Sequence, residues 1–147
     1  MGLKPGASAA DNGRLIVTTR LLETLHYEGL AREPSQVRGL HDMRISVKRL
    51  RYSMEFFGRC FGDRYRRCLD GLKALQELLG DIHDADVLIA YLEERLEEAG
   101  KPHVVGVKAL RDRTSARRAD LHGALLTELD RLRGENAWQE LVASLWR

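Results

Sequence analysis

The chain has 147 residues, 44% of them apolar, which suits one domain with enough material for a core. A formal net charge of +2 announces no polyanion partner by itself. Two cysteines, Cys60 and Cys68, are too few for a disulfide framework, and no apolar run reaches transmembrane length, so a cytoplasmic protein with reduced thiols is expected.

No strand-like alternation lasts long enough to score, and all three prolines lie outside the periodic segments. The opening MGLKPGASAADNG, residues 1–13, lacks a charged-then-apolar leader pattern and reads as a flexible start. A first helix is predicted from Arg14 to Leu30, with Gly29 and Pro34 to end it. A second follows Pro34, with Ser35 as its cap, and runs to Cys60. A third spans Asp63 to Ala99, capped by Asp63 and stopped by Gly100, Lys101 and Pro102. His103 to Leu132 forms the fourth, and Gly134 separates a short last helix from Glu135 to Trp146. Long helices with short links predict an all-α fold over 14–147, an antiparallel bundle of four long helices plus a short C-terminal one.

The second helix carries the most information. At about 100° per residue, Leu40, Met43, Val47, Leu50, Met54 and Phe57 form one apolar stripe, and Ile45, Tyr52 and Phe56 form another. His41, Arg44, Lys48 and Arg51 form a row between them, while Asp42, Ser46, Ser53 and Cys60 fall on the remaining, solvated side. Like charges at helical spacing repel by roughly 0.2–0.5 kcal/mol per pair, so the row asks for a reason. One reading is long side chains snorkelling along a wide core. The other is a cationic wall in a cleft or subunit seam, which carboxylates or a bound anion must neutralise.

Charge distribution favours the wall. Between Arg38 and Arg67 nine arginines and lysines face only three acids, whereas acidic residues gather in Asp81–Glu98. On the third helix Leu72, Leu75, Leu79, Ile82, Ile89 and Leu96 mark the core side. Asp86 points the same way, and as a structural ion pair it is expected to meet Arg51 or Lys48. On the fourth helix Lys108, Arg111, Ser115, Arg118 and His122 form a second series beside Val107, Leu110, Leu121 and Leu125. Two basic helices make a groove if they face one another, and a plain solvated edge if they do not.

LHDMRISVKRLRYSMEFF followed by LKALQELLGDIHDADVL resembles the CHAD family, the conserved histidine α-helical domain. His41, Arg44, Lys48, Arg49, Leu50 and Arg51 match its first motif, and Leu79, Gly80, Asp84, Asp86 and Val87 its second. The ending LLTELDRLRGENAWQELV is similar to the family's closing segment, so the likeness covers residues 36 to 145. His83 departs from it, standing where many members carry arginine. The usual domain also has two helical repeats, and this chain has one. The resemblance implies binding of inorganic polyphosphate or a similar polyanion through basic helices, without catalysis and without a cofactor. Expected contacts are His41, Arg44, Lys48, Arg49, Arg51, Lys108, Arg111 and Arg118. It also implies frequent association with triphosphate-processing CYTH domains, of which these residues hold none. Arginine forks and lysine point charges suit phosphate oxygens, so the residues themselves agree.

Two other functions compete. His41-Asp42 and His83-Asp84 are HD pairs of the kind helical metal phosphohydrolases use, but the wheel sends His41 and Asp42 to different sides, and adjacent cations repel a metal. No metal site is therefore expected. An RNA-binding module fits the phosphate-reading row, yet no aromatic stacking platform accompanies it. A homodimer is expected, because a second copy replaces the missing repeat and because two apolar stripes exceed the needs of one bundle core.

Overall fold

The computed structural model describes residues 4–98 and 101–146. Five α-helices follow one another, α1 (Ala9–Ala31), α2 (Val37–Phe57), α3 (Asp63–Glu98), α4 (Lys101–Gly134) and α5 (Ala137–Leu145), with a 3₁₀ turn at Gly58–Cys60. No strand occurs among the described residues. The expected all-α bundle of four long helices and a short fifth is what forms.

Helix α1 begins at Ala9, inside the segment read as flexible. Ser8 is the reason: its hydroxyl oxygen accepts from the Asp11 amide at 3.1 Å and caps the first turn. Residues 4–8 fold back over it, with the Asn12 carboxamide accepting from the Lys4 amide at 2.8 Å. Residues 1–3 lie outside the described ones. Ser35 does not cap α2; Gln36 holds that position and makes no side-chain cap bond. Asp63, expected as a cap, is the first residue of α3. Helix α3 is described to Glu98, the expected end at Ala99 and stop at Gly100 lie outside the described residues, and Lys101 and Pro102 already belong to α4. Proline in a first helical turn forfeits no intrahelical bond, which is why Pro102 starts α4 rather than preceding it. Asn136, at φ 53°, makes the left-handed joint into α5, a conformation asparagine tolerates.

One core joins all five helices. Leu40, Met43, Val47, Leu50, Met54 and Phe57 are buried as their spacing predicts. They meet Val17 and Leu21 of α1, Leu72, Leu75, Leu79 and Ile82 of α3, Leu125, Leu129 and Leu132 of α4, and Leu141 and Leu145 of α5. Helix α2 packs on α1 and α3, and α3 in turn carries α4 and α5. Ser46 is buried rather than solvated because α1 covers that side; its hydroxyl donates to the Met43 carbonyl at 2.8 Å. The second stripe stays largely uncovered, with Ile45 half-buried, Tyr52 48% exposed and Phe56 81% exposed.

The C-terminal end of α1 is tied to α4. Glu28, a buried carboxylate, receives Arg32 at 3.0 Å and Arg133 at 2.8 Å, and Arg32 reaches Asp130 at 2.8 Å. His122 Nε2 lies 2.9 Å from the Ala31 carbonyl oxygen, closing one of the acceptors a helix end leaves open. Helix α3 has 36 residues against 21 in α2, roughly 54 Å against 32 Å. Its last turns therefore run beyond α2 with α4 alone beside them. Val87, Leu88 and Tyr91 are exposed there, as are Val105 and Leu110 of α4. Leu92 is the buried contact of this arm, where Ile89 and Leu96 are half-buried. No helix of the described residues is long and apolar enough to cross a membrane.

Candidate functional site

Helix α2 sets its row along α3. The fixed point is a ring contact between His41 and His83, with centroids 5.0 Å apart and planes at 46°. His41, Arg44 and Arg51 are half-buried and Lys48 is exposed, as expected for side chains leaving a helix seam towards solvent. From the histidine contact the antiparallel helices run in step, so Lys48 comes roughly level with Gln76. On α3, Gln76, Gly80 and His83 recur at helical spacing and share one side. An added Cβ at Gly80 meets nothing within 4 Å, so this edge is open.

The row is short of partners. Among the described residues Arg44, Lys48 and Arg49 have no carboxylate within ion-pair distance. Arg51 has one weak partner, Glu55 at 3.4 Å one turn on. Its Nε is buried without a hydrogen bond, and so is Gln76 Oε1. Tyr52 orients two of the cations, with the Arg51 guanidinium 4.7 Å and the Lys48 ammonium 5.8 Å from its ring centroid. Unpaired half-buried charge is costly and calls for an anion.

Other expected site residues fall elsewhere. Arg49 borders a cavity between α1 and α2 with Glu23, Tyr27, Asp42, Ile45 and Ser46, away from the row. Asp86 does form an ion pair, but with Arg118 rather than Arg51 or Lys48. Arg118 Nε donates to one carboxylate oxygen and Nη2 lies 3.4 Å from the other, with both side chains 13% exposed. The reason is position: Asp86 lies three residues past the histidine contact, level with the first turn of α2, and α4 reaches it first. Arg111 is half-buried, its Nε 2.7 Å from Asp112 Oδ1 without hydrogen-bond alignment. Lys108 is exposed, and His122 is occupied by the Ala31 carbonyl. The two basic helices are not a packed pair: α2 lies against α1 and α3, and α4 against α3 and α5.

Sequence reasoning left out His83 and Gln76 as site residues. The signal for His83 was present, a cation-to-imidazole departure within a matched motif; Gln76 had none. Around the HD pairs, and throughout the described residues, no three His, Cys, Asp or Glu side chains gather as a metal-binding group. Burial pushes the Cys68 thiol up from its ordinary pKa, and its sulfur bonds the Ala137 carbonyl at 3.1 Å, so it is a packing group.

The family model of the CHAD domain matches residues 8–93. It takes in α1, α2 and α3 as far as Glu93, both motifs of the row included, and stops short of α4 and the closing segment. Comparisons with curated proteins and with solved structures return no match.

Proposed function

Because the chain belongs to the CHAD family, we propose that it binds inorganic polyphosphate, or a similar phosphate polyanion, and does no chemistry on it. The observation that carries this reading is the α2 row, three half-buried groups and one exposed lysine with almost no counter-charge. A repeating anion supplies charge at repeating intervals, which matches cations three and four residues apart. His41, Arg44, Lys48 and Arg51 are the principal contacts. Lys108 and Arg111 stand on α4, which does not pack against α2, and are left out of the principal contacts. A cytoplasmic location with both thiols reduced belongs to the same proposal.

RNA presents phosphates too, but Tyr52, the tyrosine beside the row, is engaged with Arg51 and Lys48. Competition at equal phosphate and fixed salt decides between them. Polyphosphate is expected to displace RNA from the protein; the reverse order overturns the reading.

The uncovered stripe of α2 fits a second copy of the chain. Phe56 and Tyr52 expose a large apolar surface next to the row, and a twofold partner covers it with its own equivalent face. Light scattering of the unliganded protein at micromolar concentration is expected to give twice the chain mass, and Phe56→Asp to give one. A single-chain mass for the parent counts against the dimer.

A further inference from the structure

The contact between His41 and His83 has a consequence for when the row is charged. Histidine is the side chain whose charge ordinarily changes between about pH 5 and 8. Two imidazoles in contact cannot both ionise cheaply unless a negative charge lies near them.

None of the described carboxylates is paired with either ring. On α2, Arg44 stands one turn from His41, Lys48 two turns, and Asp42 is engaged with Arg38 at 3.9 Å. On α3, Asp86 is held by Arg118. Asp81 and Asp84 turn to the far side, where they line a cavity with Arg113 and Arg117 of α4. From α4, His122 is bonded to the Ala31 carbonyl. At the end of α1, Glu28 and Arg32 are absorbed in pairs with Arg133 and Asp130. Among the described residues neither ring has a carboxylate within ion-pair distance.

We propose that the His41–His83 pair makes phosphate binding proton-linked: the anion is the missing counter-charge, and its arrival draws protons onto the two rings. The proposal rests on the polyphosphate reading above. Its sign follows from linkage. A ligand that favours the protonated form binds more tightly as pH falls, and its binding takes protons from the buffer. With the anion bound, the two rings can add up to two cations to the row's three permanent ones. Arginine at position 83 would be charged at every pH; histidine makes that charge conditional.

The test is titration with long-chain inorganic polyphosphate, whose internal phosphates stay ionised throughout the range, at constant ionic strength from pH 8 to pH 6. The parent protein is expected to bind about tenfold or more tightly at pH 6 than at pH 8, one proton taken up giving a factor of ten per pH unit. Calorimetry in buffers of different ionisation enthalpy is expected to show net proton uptake. His83→Gln should flatten the pH dependence, and His83→Arg should bind tightly at both ends of it, with helical content by circular dichroism matching the parent. Parent binding that does not change between pH 6 and 8 overturns the proton linkage and leaves the phosphate site standing. An unaltered pH slope in folded His83→Gln overturns it too. No binding at any pH overturns both.

Discussion

The two sides of α3 are built from the same residue types and put to opposite uses. Towards α4 the packing is tight and the charges are matched. Gly71 approaches so closely that a Cβ there would lie 2.6 Å from Leu132 Cδ2, and Asp86 takes Arg118 in a largely buried pair. Towards α2 the edge is open at Gly80, Gln76 Oε1 and Arg51 Nε are buried without partners, and Arg44 and Lys48 have no carboxylate among the described residues. A protein that needed only a stable seam would neutralise both sides. Leaving one unneutralised costs stability, and a ligand that completes it recovers the cost.

Breaking the α2 side should produce the largest effect. Arg44→Glu with Lys48→Glu is expected to abolish polyphosphate binding at physiological salt while circular dichroism stays at the parent value. Two reversals remove two cations and lower the row's net charge by four, and phosphate affinity depends on the number of cations engaged. Unchanged affinity in the folded double mutant removes the row from the site.

The α4 side should respond in stability rather than in binding. Asp86→Ala leaves Arg118 buried without a partner, a loss of about 3–5 kcal/mol for a pair of this burial, or roughly 10 °C in melting temperature. Replacing both partners with apolar residues, Asp86→Leu with Arg118→Met, should recover most of that loss, since a buried pair is dearer to break than to delete. Polyphosphate affinity per folded molecule is expected to change little in either protein. A single mutant that melts within a degree or two of the parent shows that the pair is solvated.

The glycines sharpen the contrast on a smaller scale. Gly80→Ala meets open space in a helix interior and should stabilise by about 1 kcal/mol through helix propensity alone. Gly71→Ala gains the same propensity but must displace the buried Leu132, so denaturant midpoints for the two should move in opposite directions. Equal shifts would mean that the α4 seam is as loose as the α2 edge.

Much of this was legible without coordinates, for a local reason. Helical periodicity fixes which residues share a side, so the buried stripe of α2 and the row beside it could be read from spacing. Proline and glycine punctuation located the links to within a few residues. The starts of α1 and α2 moved because caps compete: the Ser8 side chain bonds Asp11, whereas no side chain caps the first turn of α2.

What lies across from a side chain is a different matter, because spacing within one helix carries no information about its neighbour. The sequence by itself determined the five helices, their apolar stripes, the family and the existence of a cationic row. Only the tertiary structure decided that Asp86 meets Arg118 rather than Arg51 or Lys48, and that Arg49 faces α1. It alone set His83 against His41, and it left Phe56 uncovered. Those outcomes depend on how far α3 outruns α2 and on which helix reaches each level first, quantities set by the packing of the whole bundle.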